Sequence, residues 1–129
     1  GTIVTGKTSQ LFGASSAALL NAVKKLAGID KETSIIKREV IEPVQALKTE
    51  VLGNHNPRLH SDETLVALSV SAADSPVAKK AFDMLSALRG CQAHSTVILA
   101  QVDQDTYRKL GIHLTCEPKY ETKKLFHGR

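Results

Sequence analysis

The chain has 129 residues, 42% apolar and 23% charged, close to the commonest size and make-up of one globular domain. This excludes a disordered, collagenous or membrane-spanning protein. A formal charge of +4 and a pI near 9.2 would tolerate a polyanion, yet there is no Trp, with only two Tyr and three Phe to stack on bases, so Lys24, Lys25, Lys79, Lys80 and the C-terminal lysines read as solvated faces rather than a nucleic-acid surface.

Thr2-Ile3-Val4-Thr5 is a β-branched run that predicts a strand near 2–6, broken by Gly6. From Ala14 to Ala27 the residues Leu19, Leu20, Val23 and Leu26 recur at helical spacing, with Ser15 or Ser16 as cap and Gly28 as terminator. Thr33-Ser34-Ile35-Ile36 has the composition of a brief strand. Glu42-Pro43 would open a second helix, with Val44, Leu47 and Val51 on one face and Gly53 past its end. Ser61-Asp62-Glu63 predicts the start of a third helix carrying Leu65, Leu68 and Ala72, although Val66, Leu68, Val70 and Ala72 also alternate as a strand would. Ser75-Pro76 starts a fourth, with Val77, Ala81, Met84, Leu85 and Leu88 as its stripe and Gly90 as its end. The most strand-like run follows at 95–100, then a short helix from Asp103 to Gly111, then a strand at 112–116. A helix-length crossover requires these two strands to be parallel if they share a sheet. The alternation predicts a single α/β domain over 1–129, with helices on both faces of a small mixed sheet. The sheet is either small or completed elsewhere, and the Gly1 start suggests a piece of a longer protein.

Gly1 to Thr8 satisfies the phosphate-loop pattern G-x-x-x-x-G-K-[ST] by letter, but Ile3 and Val4 would occupy the loop, no strand precedes it and the helix begins well after Thr8. It is therefore set aside. Gly13-Ala14-Ser15-Ser16 at a helix start, with Lys7 nearby, could offer amides and a favourable dipole to an anion; plain capping is the competing account. Asn54-His55-Asn56-Pro57-Arg58-Leu59-His60 crowds two imidazoles, two amides and a guanidinium into one loop, which is either ligand contact or a solvated turn. Cys91-x-x-His94 with Cys116, and His60 or His113 as a fourth ligand, is a weak metal pattern, because a structural zinc site usually shows two close pairs. Cys91 with His94 as base is a further option. Two cysteines make no disulfide framework and no secretory signal precedes them, so reduced thiols in the cytoplasm are expected.

The runs Leu52 to His60, Leu88 to Leu99 and Lys109 to Tyr120, with Thr5-Gly6-Lys7 and Gly13 to Ser16, resemble the C-terminal subdomain of an uncharacterised bacterial family known as domain of unknown function 1846. The resemblance covers essentially the whole chain. It implies a three-layer α/β sandwich similar in architecture to cytidine deaminase-like domains, and no established activity. Some members carry an ATP-dependent peptidase label, but nothing here resembles H-E-x-x-H, a serine triad or a working phosphate loop. Deaminase chemistry does not transfer, since it needs an H-x-E pair and a P-C-x-x-C run.

The resulting expectation is a domain contributing to a small anionic metabolite site in a larger cytoplasmic protein. Lys7, Ser15, Ser16, Asn54, His55, Asn56, Arg58, His60 and His94 are the candidate contacts, and the rest of the parent polypeptide completes the site. The alternative is a structural or oligomerisation module with no site of its own, whose partner would be a second copy in a homo-oligomer. Whether the protein is an enzyme, and with what cofactor, is open at this point. A geometric criterion separates the two readings: Arg58, His60 and His94 either share one concavity or scatter.

Overall fold

The computed structural model describes residues 4–117. Helix α1 spans Ala14–Ala27, where the periodicity puts it, and buries Leu19, Leu20 and Val23. Gly28 ends it in the left-handed conformation, φ 71°, its amide returning to Lys24 and Lys25 carbonyls, a geometry that suits a residue without Cβ. Ser15 and Ser16 are not caps. They lie inside the helix and are buried, and the N-cap is Gly13.

The segment before α1 is not a strand over residues 4–6, and residues 1–3 of that expected strand lie outside the described residues. The Thr5 carbonyl accepts a bond from Asn21 Nδ2 at 2.7 Å instead of pairing in a sheet. Gly6 presses on α1 so closely that a Cβ there would sit 2.2 Å from the Ala18 amide nitrogen and 2.6 Å from the Ala14 carbonyl oxygen. The run 33–36 likewise has no ladder; its β-branched Ile35 and Ile36 serve as core side chains.

Helix α2 spans Arg38–Ala46, so Pro43 sits inside it rather than at its first turn. Ile41, 1% exposed, anchors this helix, which starts upstream of the Glu42-Pro43 opening that the sequence predicts. Proline withdraws one amide from the ladder, and the chain passes directly into a π-helical turn, Leu47–Val51, whose wider winding is shown by the Leu52 amide bonding the Leu47 carbonyl. Helix α3 spans Ser61–Ala72, with His60 as N-cap. Helix α4 spans Pro76–Phe82, with Ser75 Oγ accepting the Ala78 amide and proline in the first turn, as expected. It is shorter than the stripe predicts: a turn intervenes, and a 3₁₀ turn, Leu85–Leu88, delivers Leu88 to the core.

Strand β1 spans Gln92–Ser95, helix α5 Gln101–Lys109 and strand β2 His113–Cys116. β1 and β2 are parallel, with His94 opposite Thr115 and Ser95 opposite Cys116. The predicted strand at 95–100 is displaced upstream for a local reason. Ser95 Oγ donates to the Val97 carbonyl and accepts the Val97 amide, so a hydroxyl turns the chain where the apolar run alone suggests continued extension. His94 therefore lies within the strand, not before it.

Among the described residues the sheet has only these two strands, so the domain is α/β but helix-rich. α1, α3 and α4 pack around one core that includes Leu59, Leu68, Ala78 and Tyr107. α2 and its π turn run antiparallel along α3: Lys37 meets Asp74 at one end, and Lys48 meets Glu63 at the other, 2.9 Å apart. Among the described residues no helix is long and apolar enough to cross a membrane.

Candidate functional site

The loop 54–60 is built as a clasp. Leu59, fully buried, bridges to Phe12; its amide donates to the Leu11 carbonyl, and its own carbonyl accepts both the Gly13 amide and Ser16 Oγ at 2.9 Å. Ser16 thus spends its hydroxyl on holding the loop. Arg58 Nε donates to the Ser9 carbonyl, and Asn56 Oδ1 takes the Arg58 amide at 3.1 Å, a local Asx turn. Asn54, His55 and Asn56 are exposed, as is Lys7. Gly6, next to Lys7, lies on the first turns of α1, which have neither a side-chain cap nor an acidic residue.

Behind the clasp lies a buried ionic joint that the residue pattern does not announce. Lys48 is 3% exposed, and its ammonium donates to the Arg58 carbonyl and to Glu63 Oε1. Glu63 Oε1 also accepts the His60 amide at 2.8 Å, closing the first turn of α3. From α5, Asp103 Oδ1 accepts the Ser61 amide at 2.9 Å and Ser61 Oγ at 2.6 Å, while its Oδ2 stands 3.8 Å from His60 Nδ1. A carboxylate at the positive end of α3 is favourable, and here it caps a helix other than its own. Ser, His and Asp meet in this joint without forming a nucleophilic triad. The carboxylate stands between the other two, the serine bonds it rather than the imidazole, and Ser61 has no solvent exposure.

Tyr107 completes the joint, its phenol donating to the Ser15 carbonyl at 2.7 Å. Burial, with the Asp103 charge second, pushes this phenol well above its ordinary range. On the far end of α1, burial pulls the Lys24 ammonium down, partly opposed by Glu32 and Asp30.

His94 lies elsewhere, on the exposed face of the sheet. Its Nδ1 meets Thr115 Oγ1 at 2.7 Å and its Nε2 meets Glu117 Oε2 at 2.9 Å, so both ring nitrogens are engaged. Strand alternation puts Cys116, opposite Ser95, on the other face, and Cys91 Sγ approaches only the Ala87 carbonyl. Among the described residues no three His, Cys, Asp or Glu side chains are gathered to hold a metal ion. One cavity of about 280 Å³ is lined by Gln104, Arg108, Ile112, His113 and Leu114, and one of about 380 Å³ by Val4, Thr5, Asn21 and the lysines at 24, 25 and 31 with their neighbours. None of the nine candidate residues lines either. Arg58, His60 and His94 turn to three different partners.

Lys48, Glu63, Asp103 and Tyr107 are the residues that sequence reasoning missed. One signal was present: Lys48 falls at helical spacing between Val44 and Val51, a lysine on the apolar face.

These features define a helix-rich α/β domain knitted by an internal polar joint. A family model described as "Domain of unknown function DUF1846, C-terminal" matches residues 1–126, and the chain belongs to that family. It is 57% identical over its whole length to a UPF0371 protein of Corynebacterium efficiens and 55% identical to one of Corynebacterium glutamicum. It is 52% identical over 98% of its length to a UPF0371 protein of Streptococcus thermophilus. The chain spans about a quarter, 26%, of the length of these relatives.

Proposed function

We propose that this chain is a structural module of a longer cytoplasmic polypeptide, folded around its own polar joint and packed against the remainder, with no active site of its own. The observation that carries this reading is what the candidate residues of the clasp are bonded to. Ser16 is spent on Leu59, and the backbone of Arg58 and His60 on the Lys48–Glu63 pair. The cytoplasmic setting is supported by two cysteines that are free. The finer fold, a three-layer sandwich like that of cytidine deaminase-like domains, is part of the proposal. Parallel sheets are normally covered on both faces and hold more than two strands, so β1 and β2 would be joined by strands from the rest of the polypeptide.

The metabolite reading survives in a narrower form. The uncapped start of α1, with the Gly6-Lys7 segment against its first turns, favours a small anion there. Thermal-shift titration of the intact polypeptide with inorganic phosphate, sulfate and nucleotides separates the two. The module reading predicts no saturable shift that depends on Lys7; a shift abolished by Lys7→Ala would establish the anion site instead.

A further inference from the structure

Helix α3 is packed inside out. Its buried flank is Ser61, Thr64, Ala67, Leu68 and Ser71, mostly small or hydroxylic, while Val66 and Val70 stand 61% and 54% exposed. From Thr64 to Ala73 the helix carries no charged residue, and Ser69 is the one polar side chain among its exposed positions there. A helix whose outer positions carry large apolar side chains in place of charges is suited to cover by another body rather than to bare solvent. β-branched residues on a bare helix surface also sacrifice helix propensity without packing in return.

The neighbouring π turn repeats the pattern, with Leu47 at 49% and Val51 at 72% exposure. The two strips are tied together at one point, the Lys48–Glu63 pair. Glu63, Val66 and Val70 follow one another at i, i+3 and i+7, and Lys48, between Leu47 and Val51 on the antiparallel neighbour, reaches Glu63.

We propose that these two exposed apolar strips, Leu47 with Val51 and Val66 with Val70, are the seat of the N-terminal portion of the same polypeptide. The inference rests on the module reading and names the surface that reading requires. The occupant follows from two findings: the matched family is a C-terminal domain, and the relatives place about three quarters of their length outside it. A tethered segment also outcompetes a free second copy through its high effective concentration.

Hydroxyl-radical footprinting of the intact polypeptide tests this, with side-chain oxidation at these four residues in the native protein measured against the same residues in urea. Docking predicts native labelling on the order of tenfold slower, as for the dry centre of an interface, and unchanged by dilution. Labelling within about twofold of the unfolded rate would overturn the proposal, because exposure of this degree hardly shields a side chain. Protection lost on dilution, in step with a dimer dissociating in sedimentation velocity, would overturn it in favour of a second copy. Failure of the module reading is distinguishable, since it appears as Lys7-dependent anion binding while the protection persists.

Discussion

Thr64 offers the sharpest test at the residue scale. Its Oγ1 is fully buried and has no hydrogen-bond partner among the described residues. Burying an unpaired hydroxyl costs about 1–3 kcal/mol, and an isosteric apolar group removes that cost. Thr64→Val is expected to raise the free energy of urea unfolding by about 1 kcal/mol; a loss of stability would mean that the hydroxyl is bonded in the intact protein. Tyr107 makes a pH prediction. Its folded phenol is held above the ordinary value near 10, so the unfolded chain loses that proton first. The contribution of Tyr107 is intact below about pH 10 and declines as pH rises beyond it. Lys24, held below its ordinary value, works in the opposite sense in alkali. Comparing Tyr107→Phe with the parent between neutral and strongly alkaline pH therefore isolates the phenol: the variant should be less stable at neutral pH for want of its bond to Ser15, and flatter in alkali. An identical slope for both proteins would remove Tyr107 from the account.

At the scale of elements, Gly6 decides how the incoming chain meets α1. A Cβ would strike helix backbone, which cannot swing aside as a side chain can, so Gly6→Ala should destabilise by about 2 kcal/mol, in the range of overpacked cores, read by thermal unfolding; a change below about 0.5 kcal/mol would place the segment elsewhere. Local chemistry made several elements legible from sequence: the α1 periodicity with Gly28, the Ser75-Pro76 start, and a crossover at 101–109 that forces β1 and β2 parallel. What was not legible depends on distant partners. Thr5 bonds Asn21 rather than a strand, and Pro43 is tolerated within α2 because Ile41 anchors that helix in the core. Ser95 shortened β1 through a hydroxyl bond that apolar periodicity cannot register.

For the whole molecule, the central claim is that the dense polar loop and the helix starts around it hold segments together rather than a ligand. The candidate site was half legible. The density of Asn, His and Arg singles out the loop at 54–60, but its anchoring depends on Lys48 from the π turn, Asp103 from α5 and Ser16 from α1, residues brought together only by folding. Asp103 reads in sequence as the start of its own helix and acts instead on α3, 42 positions away from Ser61. The most direct measurement is equilibrium urea unfolding of the intact polypeptide with and without Asp103→Ala. Removing this acceptor leaves the buried Ser61 amide and hydroxyl unpaired, and the account predicts a loss of about 2–4 kcal/mol with no ligand present. Unchanged stability would contradict it, because a carboxylate that the fold does not need is one held in reserve for chemistry.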